Sequence, residues 1–273
     1  MKKDTLSLPV TRKALFLDVI KNRFGLLFKT GLLLTLFFLP IIIVSLIFDQ
    51  MVANIYANNA YIVDGLLNEA GNALYQSISL YRYLSLSIAI IVFSIGLSGV
   101  IRIYRQVCWS EGVLFWDCFK TSVKQNVKNY IVYAIIFDIL FLALKLSEVY
   151  SPYLVIVVVI LTLIILFFLP ILIMMSVYSS VYNASFLRQL KNCTLLALKN
   201  YPYMLLLSFL FGVLLLLSDL PYWMILIKQA IYIIAMLLIV PIFILLVFNM
   251  LNYIFDKDVN QQLHPEMLRK GLY

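Results

Sequence analysis

Residues 120–130 read KTSVKQNVKNY, and the pattern they contain (Lys, seven residues, Lys-Asn) occurs three times in the chain. The copies are Lys13/Lys21/Asn22, Lys120/Lys128/Asn129 and Lys191/Lys199/Asn200, each just ahead of a long apolar run. The arrangement predicts one unit used three times: a basic surface helix followed by a hairpin of two membrane spans.

The copies can be compared residue by residue. Copies two and three align without a gap at an offset of 71 residues. Tyr130 then falls on Tyr201, Ser147 on Ser218, Glu148 on Asp219, Pro170 on Pro241 and Tyr182 on Tyr253. Matches among Lys, Asn, Ser and Pro weigh most in a chain this poor in them. The first copy aligns only at its start. Its hairpin has a longer outer loop, about 49–83, and its proline, Pro40, lies in the first span. A unit with two spans returns the chain to the side it left, so successive units enter the membrane in the same direction as parallel repeats. The repeats cover about 10–107, 114–183 and 185–254, with a short tail at 255–273, all in a single polytopic membrane domain.

Composition sets the solvent. Of 273 residues, 64% are hydrophobic and 12% charged, where soluble domains carry about a quarter charged residues. A span needs roughly 20 apolar residues, and six runs qualify: about 26–48, 84–104, 130–146, 153–182, 202–217 and 230–253. The fourth exceeds one bilayer thickness, which predicts tilt or projection. The fold class expected is an all-α integral membrane protein of six transmembrane helices, with amphipathic interfacial helices on the cytoplasmic side. Of 21 Lys and Arg, 18 fall before span one, between spans two and three, between spans four and five, or in the tail. The positive-inside rule then puts both termini in the cytoplasm. Orientation and attraction to anionic headgroups account for the net charge of +8. Because the basic residues are spread over four membrane-proximal segments, no nucleic-acid partner is implied. The first apolar run is too long for a signal-peptide core and no small-x-small cleavage site follows, so it reads as a retained span. Cys108, Cys118 and Cys193 fall on the predicted cytoplasmic side and read as small buried hydrophobes rather than disulfide partners.

The segments ahead of the hairpins are amphipathic. In the second copy Trp116, Phe119, Val123 and Val127 share one face, and Asp117, Lys120, Lys124 and Lys128 the other. That pattern suits a helix lying flat among headgroups. An Asn at its end in the left-handed conformation would turn the chain into the bilayer. Lys13, Lys21, Asn22, Lys120, Lys124, Lys128, Asn129, Lys191, Lys199 and Asn200 are therefore candidates for docking anionic lipid or a protein partner.

Few residues offer chemistry. Asp138 is the acid placed deepest in a span, where a charge is costly unless paired or protonated. Lys145 lies two turns on along the same face, and Asn249 and Asn252 of the last span are candidates to reach it, completing an intramembrane polar site. Pro40, Pro170 and Pro241 each remove a helical hydrogen bond and predict kinks. Ser94, Gly96, Ser98 and Gly99 form a small-residue stripe suited to close helix packing, within the bundle or against a second chain. Trp109, Trp116, Tyr130, Tyr201, Tyr203, Tyr222 and Trp223 read as an aromatic belt. Asp49, Asp64 and Glu69 read as acids of the outer loop. His264 stands alone, and neither a zinc set, a phosphate-cradling glycine loop nor a nucleophile elbow is present. No metal, cofactor or catalytic residue is expected.

Three stretches carry a family resemblance: Leu36 to Ile41 (LFFLPI), Phe115 to Lys120 (FWDCFK) continuing to Lys128-Asn129, and Phe255 to Asn260 (FDKDVN) continuing to Pro265–Leu272 (PEMLRKGL). Together they resemble the YesL-like family of bacterial integral membrane proteins, although the first outer loop is longer than that family's. The resemblance implies a bacterial cytoplasmic membrane and an accessory role near a carbohydrate ABC importer. It supplies no site residues. Two functional readings result: a non-catalytic membrane subunit assembling with a transport system, and a transporter or channel for a small solute or ion built on Asp138.

Overall fold

The computed structural model describes residues 9–150, 155–182, 184–215 and 222–272. Nine helices organise them: α1 (Arg12–Asn22), α2 (Phe24–Ala57), α3 (Glu69–Cys108), α4 (Phe115–Tyr150), α5 (Val155–Val181), α6 (Phe186–Lys199), α7 (Tyr201–Leu215), α8 (Ile225–Ile234) and α9 (Val240–Phe255). A π turn, Ala235–Ile239, joins α8 to α9, and the helix so formed runs from Ile225 to Leu263. It and α2, α3, α4 and α5 are each long and apolar enough to cross a membrane. The pair α6 and α7, bent by 100°, makes a sixth if counted as one span. The chain is a multi-pass membrane protein.

Polar contacts sort the helix ends into two groups. At one end Arg12 pairs with Asp256, Lys199 with Asp258 and Lys270 with Glu111, while Arg105 donates to the Ser180 carbonyl. This is the tail end. At the other, Asp49 of α2 meets Arg82 of α3 and Lys228 of α8, and the Tyr150 hydroxyl donates to the Gln76 carbonyl. This is the hairpin end. Successive long helices therefore alternate in direction. The chain also leaves the tail end at Asn200 and reaches the hairpin end by Lys228.

The helices outrun the apolar runs that mark them. α3 has 40 residues, about 60 Å at 1.5 Å per residue, against a hydrocarbon core of about 30 Å. α3 and α4 pack along one another as a long antiparallel pair, and α2 also packs along α3 and meets α4 where the Phe37 and Phe119 rings lie 6.1 Å apart. Between α2 and α3 a two-stranded hairpin, β1 (Ile62–Val63) and β2 (Leu66–Leu67), closes through Asp64 and Gly65. Both turn residues have positive φ, 49° and 78°, the geometry that favours Asp-Gly in a tight hairpin. The core is densest toward the tail end. There Leu34, Val100, Cys108, Met174, Met175, Leu245, Phe248 and Leu251 are fully or almost fully buried in one cluster.

The small-residue stripe is used inside the chain. A side chain at Gly96 would meet the Phe37 ring of α2, and one at Gly99 would meet the Phe119 ring of α4. The Ser98 carbonyl accepts from the Ser122 hydroxyl of α4, and Ser94 is buried. A closer approach, which the sequence reading did not single out, occurs at Gly31. Its Cα lies against the Leu237 carbonyl. Pro241 stands four residues after Leu237, where its ring excludes the normal hydrogen bond to that carbonyl. The π turn sits at this place, and the bare face of Gly31 accommodates the displaced backbone.

Several expectations require correction. The segment before the second hairpin does not lie flat and then turn. α4 runs unbroken through Lys128, Asn129 and Tyr130, because its apolar face packs on α3: Phe119 covers Gly99, and Cys118 donates to Gln106. Amphipathicity here marks a helix–helix contact. The other two segments do break. α1 ends before Arg23 (φ −123°, ψ 24°) and α6 before Asn200 (φ −112°, ψ 29°). Neither is left-handed, so an Asn in that conformation is not what turns the chain. Helix continues through Pro40 in α2 and Pro170 in α5, while the helix that carries Pro241 has a π turn just ahead of that proline. Tyr130 is buried and donates to the Ser176 carbonyl rather than joining an aromatic belt. Trp116, Tyr203 and Trp223 are exposed. The repeat matches at Ser218 and Asp219, and the span limits at Tyr153 and Leu217, lie outside the described residues.

Candidate functional sites at the two ends of the bundle

The predicted intramembrane site does not assemble. Asp138 is buried on α4, with the Ser87 hydroxyl of α3 in hydrogen-bonding reach. Asn249 is buried on α9, where its amide donates to the Leu245 carbonyl and touches the Cys108 sulfur. Ser87 and Cys108 stand 21 residues apart on α3, about 31 Å along the helix. Asp138 and Asn249 are thus at different depths. Asn252 lies farther still toward the tail end, a turn nearer Asp256 than Asn249 is. Lys145 is buried and pairs with Glu148 at 3.0 Å, one turn away on its own helix. Sequence spacing relates Asp138 to Lys145 along one helix, but it carries no information on which helices are neighbours.

The hairpin end holds a buried ion cluster that the sequence reading assigned to exposed loops. Asp49 has 2% of its surface exposed and Lys228 none. Arg82 approaches the Asp49 carboxylate at 3.0 Å, and Lys228 pairs with its second oxygen. The Ser45 hydroxyl donates to that oxygen at 3.2 Å and accepts from the Gln229 amide at 3.4 Å. One carboxylate thereby ties α2 to α3 and α8. By contrast Asp64 and Glu69 are exposed. The signal available was helical continuity: nothing between Phe48 and Ala57 breaks a helix, so Asp49 stays on α2.

The tail end is closed by the last 17 described residues, which the sequence reading treated as a simple tail. Asp256 accepts from Arg12 at 2.8 Å, from the Asn260 amide and from the Arg269 backbone. The Tyr182 hydroxyl donates to Asn260 at 2.6 Å. Asp258 accepts from Lys199 at 2.7 Å and from the Asn200 amide at 2.8 Å, clamping the α6–α7 bend. Burial raises the Asp258 carboxyl, but the two hydrogen bonds and the Lys199 and Lys257 charges outweigh it and hold the group below its ordinary range. Asn200, a docking candidate by sequence, is itself buried in this clamp. Two cations lie over the Trp109 ring, Arg105 at 4.9 Å and Lys270 at 4.0 Å.

The remaining candidates stay on the surface of the tail end. Lys13, Lys21, Lys120, Lys124, Lys128, Lys191 and Lys199 are all exposed, Asn22 is exposed and bonded to Asp18, and Asn129 is half-buried. Asn129 borders a polar cavity of about 370 Å³ between α3, α4, α5 and α6, into which Arg102 and Arg105 also face. Among the described residues no three His, Cys, Asp or Glu side chains converge on a metal-sized site. Neither a protein-family model, nor a curated protein, nor a solved structure matches this chain.

Proposed function

We propose that the protein is a non-catalytic integral membrane subunit that assembles with a membrane transport system in the bacterial cytoplasmic membrane. In this reading the chain crosses six times, as three hairpin units entering in the same direction, with both termini and the tail end in the cytoplasm. The observation that carries it is the distribution of charge. The seven lysines of the three Lys-Asn segments are exposed around one end, whereas the carboxylates of Asp49 and Asp256 are held by cations of neighbouring helices. Lys199 is bound to Asp258, but the other six make no ion pair among the described residues, and such a surface at headgroup depth suits anionic lipid and an acidic partner face. Resemblance to the YesL-like family supports a carbohydrate ABC importer as that system. The alternative, a transporter built on Asp138, draws no support from Asn249 and Asn252, which lie elsewhere.

The test is purification from native membranes in mild detergent. The wild-type chain is expected to bring a stoichiometric partner. Lys120→Glu with Lys191→Glu, which reverses two exposed charges, should reduce its recovery at least tenfold without altering the melting temperature. A chain that runs alone in both forms would remove the proposal's support.

A further inference from the structure

We propose that the cavity at the tail end is a phosphate-binding site. Its charge balance differs from that of every other buried arginine cluster described. Four arginines, Arg12, Arg82, Arg102 and Arg105, have a buried Nε with no hydrogen-bond partner. Two of them answer to carboxylates: Arg12 to Asp256 at 2.8 Å and Arg82 to Asp49 at 3.0 Å. The other two do not. Arg102 donates to the neutral Gln125 at 2.9 Å, and Arg105 to the Ser180 carbonyl at 2.6 Å. Glu111, which acts on Arg105 from farther off, is paired with Lys270 at 3.1 Å. Among the described residues no carboxylate lines the cavity.

Arg102 and Arg105 stand three residues apart on α3, where like charges on one face repel. An anion between them reverses that repulsion. Guanidinium groups offer paired N–H donors that match phosphate oxygens two at a time. The rest of the lining is neutral and rich in donors: Gln125, Asn126 and Asn129 of α4 and Gln189 of α6. Gln189 is already bonded at both ends, to Tyr133 and to the Ala184 carbonyl, whereas the Asn129 amide makes no side-chain hydrogen bond among the described residues. A volume of about 370 Å³ admits a phosphate ester with part of its substituent and sits at the small end of the range for ligand sites. The ligand is thus a phosphate monoester or diester. It comes from a lipid headgroup or from a soluble phosphorylated compound.

The full-length protein, delipidated in neutral detergent, is titrated with inorganic phosphate while its melting temperature is followed. Native mass spectrometry of protein taken directly from membranes reports any retained phospholipid. The wild type is expected to respond in at least one arm. Arg102→Gln with Arg105→Gln should lose at least tenfold in apparent affinity, or the retained lipid, while Lys29→Gln, an exposed change outside the cavity, keeps both. A retained phospholipid assigns the headgroup; a response to phosphate without retained lipid assigns a soluble ester. Asn129→Asp guards against a folding artefact by supplying a carboxylate in place of the anion. It should raise the melting temperature of the ligand-free protein and abolish the response. A wild type silent in both arms, or a folded Asn129→Asp protein that binds as the wild type does, overturns the assignment.

Discussion

Asp49→Ala is expected to destabilise the protein by roughly 3–5 kcal/mol, the range typical when one partner of a buried ion pair is removed. The carboxylate is almost wholly enclosed and is shared by Arg82 from α3 and Lys228 from α8. Its loss removes a carboxylate that two cations share, one of them the fully buried Lys228, and Ser45 loses the acceptor for its hydroxyl. The position matters as much as the charge. Asp49 lies near the C-terminal end of α2, and the two cations hold the hairpin ends of three helices together. Lys228→Met should cost markedly less, because Asp49 keeps Arg82 and the methionine fills apolar space. Unfolding midpoints in mild detergent compare the two. Equal effects, or a milder one for Asp49→Ala, would show that the carboxylate is not the hub.

Gly31→Ala ranks second. A helical Gly→Ala change in an open position gains up to about 1 kcal/mol from propensity. Here the new methyl would overlap the Leu237 carbonyl, which is backbone and has no rotamer to change. Relief requires moving α2 from the π turn ahead of Pro241, and overpacking of this kind costs about 1–3 kcal/mol or more. Gly99→Ala meets the Phe119 side chain instead, and a ring can swing where a carbonyl cannot. The prediction is therefore an order: Gly31→Ala lowers the unfolding temperature more than Gly99→Ala. The reverse order would mean that the α2–π turn contact is looser than the geometry gives. The comparison also isolates the π turn, because the three atoms nearest a methyl at Gly31 all belong to the Leu237 backbone.

Much of the scaffold is legible in the sequence because bilayer thickness imposes a length on each apolar run. Leu26 to Phe48 could be read as a span with no knowledge of its neighbours. The small-residue stripe was legible for a similar reason: Gly96 and Gly99 have little use in a helix except to admit another side chain. What hydropathy misses is where helices continue past the lipid. Asp49 and Arg82 lie just outside their apolar runs, and Lys228 just ahead of its own. They read as loop residues, although α2 and α3 carry their charges onward into a packed cluster. Amphipathicity is similarly silent about what covers the apolar face. Phe119 and Val123 would suit lipid as well as α3, and only the fold distinguishes the two. The Asp138 site failed for a third reason. Pairing across helices depends on depth and adjacency, and neither is written in spacing along one strand of sequence. Asp256 and Asp258, the acids that close the tail end, had a signal that went unused: acids beside the last span, in a chain with 13 acids against 21 basic residues, had cations available to answer them.

The bundle has two distinct ends, one holding the three Lys-Asn segments and the tail, the other holding Asp49 and the hairpin. Cys108, Cys118 and Cys193 are free and buried, so single cysteines introduced elsewhere can be read with a membrane-impermeant thiol reagent. In intact cells Leu66→Cys, on the exposed strand β2, should react, while Lys13→Cys, Lys120→Cys, Lys191→Cys and Lys257→Cys should react only after the membrane is opened. Reaction of any of these four from outside, or protection of Leu66→Cys, would contradict the arrangement.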